Sequence, residues 1–151
     1  MTTLSPRLQQ IVDALPLHPG IRVLEIGCGT GAAARAVVDR LHGDGFILAT
    51  DRSAAAIRQA RRAGADHIAA GRMAVRQIAA EDFCLDPDEQ PYDLVFAVRV
   101  GALDGRHPTA GQQVLARIAA ATTTEARLFI DGGSPLREVA IPGRVRPGPR
   151  S

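Results

Sequence analysis

The stretch VLEIGCGTG, Val23 to Gly31, constrains this chain more than any other. An apolar run stops at three glycines spaced by two, Gly27, Gly29 and Gly31, and the Ala-rich segment AAARAVVDRL follows at once. The short apolar run predicts a buried strand, and the Ala-rich segment predicts a helix. Glycine between them lets the backbone turn tightly and come close to a ligand. A strand, a glycine turn and a helix in that order open an α/β domain with a nucleotide-type site at the turn.

The rest of the chain repeats the alternation. Ser5 and Pro6 start a helix whose apolar face is Leu8, Ile11, Val12 and Leu15, and Pro16 and Pro19 stop it. IRVLEIG (Ile21 to Gly27), FILATD (Phe46 to Asp51), VRQIAA (Val75 to Ala80), YDLVFAVRV (Tyr92 to Val100) and RLFIDGG (Arg127 to Gly133) predict five strands. Helices are expected over Ala32 to Leu41, from Ser53 to Ala63, and over Ala110 to Ala121, with a short helical piece at 66–71. Strands alternating with helices predict a doubly wound parallel sheet of five strands, order 3-2-1-4-5, with helices on both faces. One domain is expected over 1–142, and the Pro-, Gly- and Arg-rich GRVRPGPRS, 143–151, is expected to be disordered.

Composition narrows the partners. A net charge of +2 is too small to argue for nucleic acid or a membrane surface. Aromatics are 3%, with no Trp, which disfavours a base-stacking platform. Cys28 and Cys84 lack metal-ligand spacing, so no metal is expected and both predict reduced thiols in the cytoplasm. MTTLSPRLQQ is polar, so no cleaved leader is expected, and no apolar run approaches membrane-spanning length.

The glycine loop alone is ambiguous. Gly27, Gly29 and Ala32 also satisfy the dinucleotide fingerprint. Glu25, two residues before Gly27, favours a different ligand. Loops for phosphates present backbone N–H groups, and a carboxylate on the same strand would repel the phosphate. S-adenosylmethionine carries a sulfonium and an ammonium group and no phosphate, so an acid there attracts it. Asp51, twenty positions after Gly31 at the end of the second strand, suits ribose hydroxyls in either kind of site.

VLEIGCGTG, the acid in ATDRS and the later YDLVFAVRV together resemble the class I S-adenosylmethionine-dependent methyltransferases, over Arg22 to Gly133. The resemblance implies a cofactor site at Glu25, Gly27, Cys28, Gly29, Thr30, Gly31, Asp51 and Arg52. It implies adenine contacts within AAEDF, at Ala80 and Glu81 or alternatively Asp82. It also implies that Ala97, Val98 and Arg99 line the methionine end. Phe83 is expected either against the adenine or in the core.

Methyl transfer asks the protein mainly to place a nucleophile in line and exclude water. A general base is needed only for a protonated acceptor. Asp104 and His107, in GALDGRHP after the fourth strand, are the candidates. Two departures from the family pattern matter. The Asn-Pro-Pro-aromatic signature of adenine and amide methyltransferases is absent, which leaves a small-molecule acceptor by elimination. Only 18 residues follow Gly133, so the usual C-terminal antiparallel hairpin is expected to be absent. The fifth strand would then be an open edge for a second copy or a partner, with Val139 to Ile141 covering part of it at most. The competing functions are a non-catalytic module that binds S-adenosylmethionine or S-adenosylhomocysteine, and a nicotinamide-dependent oxidoreductase.

Overall fold

The computed structural model describes residues 4–144. Its elements are α1 (Pro6–Ala14), β1 (Arg22–Ile26), α2 (Ala32–Arg40), β2 (Phe46–Asp51), α3 (Ala54–Ala63), α4 (Ala65–Ala69), β3 (Met73–Gln77), a 3₁₀ turn (Ala80–Asp82), β4 (Tyr92–Ala97), α5 (Pro108–Ala121), β5 (Thr122–Asp131) and β6 (Leu136–Val139). They form one sheet, ordered β3-β2-β1-β4-β5-β6. The first five strands are parallel, in the expected 3-2-1-4-5 order. No helix among the described residues is long and apolar enough to cross a membrane.

The hairpin expected to be absent is present in short form. β6 runs antiparallel to β5, with Asp131 opposite Leu136 and Leu128 opposite Val139. Counting the residues after Gly133 underrated how little chain this takes: the turn needs only Gly132 to Pro135. Gly133 makes it possible, because a Cβ there would lie 2.1 Å from the Leu136 carbonyl oxygen. The β5 edge is therefore paired within the chain, so it is not the open edge that was expected to receive a second copy or a partner. The free edge now belongs to a four-residue strand whose Arg137 and Glu138 are exposed, a short charged edge of the kind that discourages further pairing.

Two strands begin earlier than expected, and β3, β4 and β5 end two or three residues sooner, at Gln77, Ala97 and Asp131. β3 begins two residues early, because Met73 pairs with Ile47 and is buried. Gly64 leaves it room: a Cβ there would meet the Met73 sulfur at 2.9 Å. β5 begins five residues early, since three β-branched threonines continue the extended backbone straight out of α5. Thr122 joins the two elements. Its hydroxyl donates to the Ile118 carbonyl, and the Arg144 guanidinium donates to the carbonyls of Ala119 and Thr122. The expected disordered tail lies outside the described residues from 145 onward.

The sheet separates two hydrophobic clusters. Alternation along β1 sends Val23 to the side of α1, α2 and α3, and sends Leu24 and Ile26 to the side of α5. Glu25 has the parity of Val23 and lies in the interior, 2% exposed. A carboxyl thus stands where the pattern calls for a hydrocarbon.

Candidate active site

The chain leaves β1 through Gly27 (φ +73°) and Gly29 (φ +57°), both in the left-handed region. A Cβ on Gly27 would come within 2.8 Å of the Val100 side chain, so the segment after β4 leans directly on this loop. A Cβ on Gly29 would meet nothing within 4 Å, which marks the open side of the loop. The loop amides point inward. Cys28 N–H donates to the Thr50 carbonyl (2.8 Å), Gly29 N–H to Asp51 Oδ2 (2.9 Å) and Gly31 N–H to the Cys28 carbonyl (3.0 Å). The Thr30 carbonyl accepts from Arg35 Nη1 at 2.8 Å. A phosphate cradle keeps such amides for its ligand; here three are already occupied.

Glu25 and Asp51 form the acidic floor beside this loop. Among the described residues Glu25 Oε1 has no hydrogen-bond partner. Burial, with Asp51 adding repulsion, pushes its carboxyl from 4.5 up to about 8. An unpartnered buried carboxyl is costly, and a cation beside it would relieve that cost. Asp51 Oδ1 accepts from Ser53 N–H at 2.8 Å, while Oδ2 holds Gly29. A carboxylate offers about four lone-pair sites, so this one retains capacity for hydroxyl donors. The Cys28 thiol is buried, and desolvation plus the two acids push it up to about 12. It is a packing group, not a nucleophile. The Arg52 side chain is exposed, and its carbonyl accepts from Gln77.

Of the proposed adenine contacts, Ala80 and Glu81 are half-buried on the 3₁₀ turn and Asp82 is exposed. The Glu81 carbonyl accepts from Arg117 on α5, fixing the turn. Phe83 goes to the core, 2% exposed, with the Arg76 guanidinium 5.6 Å from its ring centre. At the end of β4, Ala97 is buried, Val98 half-buried and Arg99 exposed. Arg99 has φ +60°, the one positive value outside glycine among the described residues. Its N–H donates to Asp131 Oδ1 at 2.9 Å.

The loop that follows brings Asp104 and His107 together in one exposed turn. Arg106 donates to Asp104 from its backbone (3.1 Å) and from Nε (2.8 Å). The backbone bond leads in holding the Asp104 carboxyl below its ordinary range. His107 caps α5, and its carbonyl accepts from Gly111 N–H. Gly101 lets the turn close, since a Cβ there would meet Arg106 Nη2 at 3.1 Å and His107 Cδ2 at 3.3 Å.

Sequence reasoning missed Asp131, Arg7 and the groove beside them. Asp131 ends β5, and its Oδ2 accepts from Arg7 Nη2 of α1 at 2.7 Å. Between α1 and the 132–135 turn lies an open groove of about 840 Å³, with Arg7, Gln10, Ala14 and Ser134 in its walls. The available signal was LFIDGG, where an apolar run ends in an acid and glycines as it does around Glu25.

A parallel sheet with a glycine turn, two acids at the ends of adjacent strands and loops gathered along its carboxyl edge defines a Rossmann-like domain of the class I S-adenosylmethionine-dependent methyltransferase type. The chain belongs to the methyltransferase domain family, whose profile matches residues 23–124. It is 35% identical over 107 residues to the polyketide synthase-like protein Preu9 of Preussia isomera, a stretch that is 66% of this chain and 5% of that protein. Among solved structures it is similar to the [4+2]-cyclase SpnF, with TM-score 0.65 and 18% identity over 82% of this chain and 42% of that one. It is also similar to the StiE O-MT, with TM-score 0.65 and 17% identity over 82% and 42% of the two chains. Coclaurine N-methyltransferase bound to N-methylheliamine and SAH gives TM-score 0.63 and 15% identity over 82% and 34%. The chain thus spans less than half of each of these structures and about a twentieth of Preu9.

Proposed function

We propose that this domain transfers a methyl group from S-adenosylmethionine to a small-molecule acceptor. The observation that carries the reading is the buried, unpartnered Glu25 beside a glycine loop three of whose amides, those of Cys28, Gly29 and Gly31, are already occupied. That floor suits a cation, whose charge would draw the proton off Glu25, and offers a phosphate no positive partner. When bound, the cofactor supplies a methyl group on a positively charged sulfur, open to attack by a lone pair.

The chain's own residues would divide the work as follows. Gly27 to Gly31, with Cys28 and Thr30 contributing backbone, form the wall beside the amino acid portion, over Glu25. Asp51 takes the ribose hydroxyls, next to Arg52. Ala80 with Glu81, or else Asp82, meets the adenine edge. Ala97, Val98 and Arg99 line the methionine end. His107 takes the proton of an acceptor that arrives protonated. Asp104, held ionised by Arg106, is the weaker base and acts as a neighbouring charge.

A polyketide-type acceptor is the first to test, because Preu9 is named a polyketide synthase-like protein. The two free thiols favour a reducing compartment such as the cytoplasm. Calorimetric titration with S-adenosylmethionine, S-adenosylhomocysteine and NAD(H) tests the cofactor. Binding of NAD(H) alone would overturn the reading. Tight binding of the adenosyl ligands with no methyl transfer across an acceptor panel would favour the non-catalytic binding module instead.

A further inference from the structure

We propose that Asp131 is a positioning residue that ties α1 and the β4 loop together at the lip of the site. This inference rests on the reading above for the role of the β4 loop. The geometry is specific. Asp131 follows Ile130, which pairs with Ala97, so its side chain stands level with the point where the chain leaves β4. One carboxylate oxygen receives the N–H of Arg99 at 2.9 Å and the other receives Arg7 at 2.7 Å.

Arg99 needs such a partner. A bulky L-residue at φ +60° is an uncommon conformer, which persists where the surroundings over-determine it. The constraint falls on the segment proposed to line the methionine end, and Val100 next to it packs against Gly27. The Asp131 side chain is 17% exposed, whereas Arg7 is 56% exposed. Asp131 is thus the sheltered member of the set, holding two exposed arginines, Arg99 through its backbone and Arg7 through its side chain. Arg7 also lines the groove between α1 and the 132–135 turn. One carboxylate thus sets the loop on the cofactor side and the helix on the groove side.

The test compares Asp131→Ala, Asp131→Asn and Arg7→Gln in the full chain. S-adenosylhomocysteine affinity is read by calorimetry, amide exchange over 98–103 by mass spectrometry, and melting temperature alongside. Asp131→Ala is expected to lose about tenfold or more in affinity through a misplaced loop, with faster exchange over 98–103. Asp131→Asn keeps an oxygen for the Arg99 N–H and should recover most of both. Arg7→Gln should leave the loop exchange as in the parent. A purely structural role would lower the melting temperature of Asp131→Ala while leaving affinity and loop exchange unchanged, and that result overturns the proposal. If the parent chain binds no adenosyl ligand, the functional reading fails by itself. The exchange measurement still decides whether Asp131 holds the loop.

Discussion

The two halves of the sheet's carboxyl edge are built differently. Around β1 and β2 the polar groups are tucked in: loop amides bond to Thr50 and Asp51, and Glu25 is buried. In the loop after β4 they face outward: Arg99, Asp104, Arg106 and His107 are all exposed. The first half is held by bonds within the protein itself. The second is open and polar, suited to contacts completed on binding. A common cofactor and a variable acceptor would call for this division, because loops on a rigid scaffold can change without disturbing it.

The contrast can be broken most sharply at Gly29. Gly29→Val projects into the open side of the loop, where no protein atom lies within 4 Å, and its φ of +57° adds backbone strain of about 1–3 kcal/mol. The variant should fold and lose measurable cofactor binding in calorimetry. Normal binding by a folded variant would move the cradle elsewhere.

The next largest effect belongs to the open half. His107→Ala should cut turnover by about 10²-fold on a protonated acceptor while cofactor affinity stays as in the parent. A parallel fall in affinity would show that the halves are not separable.

Third comes the pH dependence set by Glu25. Its folded value of about 8 lies above the 4.5 of an ordinary carboxyl. The folded, ligand-free protein keeps a proton that the unfolded chain has shed, so its stability should fall by a few kcal/mol as pH rises between those values. Glu25→Gln should flatten that profile in thermal melts and exceed the parent in stability above about pH 8. The same change should weaken adenosyl binding. Identical profiles for the two proteins would mean Glu25 is not the buried acid described.

The smallest of the four concerns Asp51. Asp51→Ala removes the partner of Gly29 N–H and the proposed ribose contacts, and should cost roughly 1–3 kcal/mol of cofactor affinity by calorimetry. Unchanged affinity would refute its role.

What the sequence revealed follows the same division. The parallel order and the glycine loop were legible because their signals are local: apolar runs of strand length, glycines at fixed spacing, and acids at strand ends. The occupied amides were not, since Gly29 bonds to Asp51 across 22 positions. Asp131 escaped for the same reason, as its role depends on Arg7, 124 positions away. The short hairpin was hidden by composition. LREV lies between two prolines and reads as loop until Gly133 is known to close a four-residue turn. Phe83, just past the 3₁₀ turn, could not be decided at all until burial showed that it enters the core.

The direct junction at Thr122 has a consequence for anyone re-engineering this domain. α5 passes into β5 with no spacer, and Arg144 pins the joint from the far end of the described chain. Helix and strand therefore share one joint, held by Thr122 and Arg144. A tag, an inserted module or new termini at this junction would part the Ile118–Thr122 bond and the register of β5 against β4 at one stroke. The exposed stretch at Pro87 and Asp88 offers the tolerant place to splice.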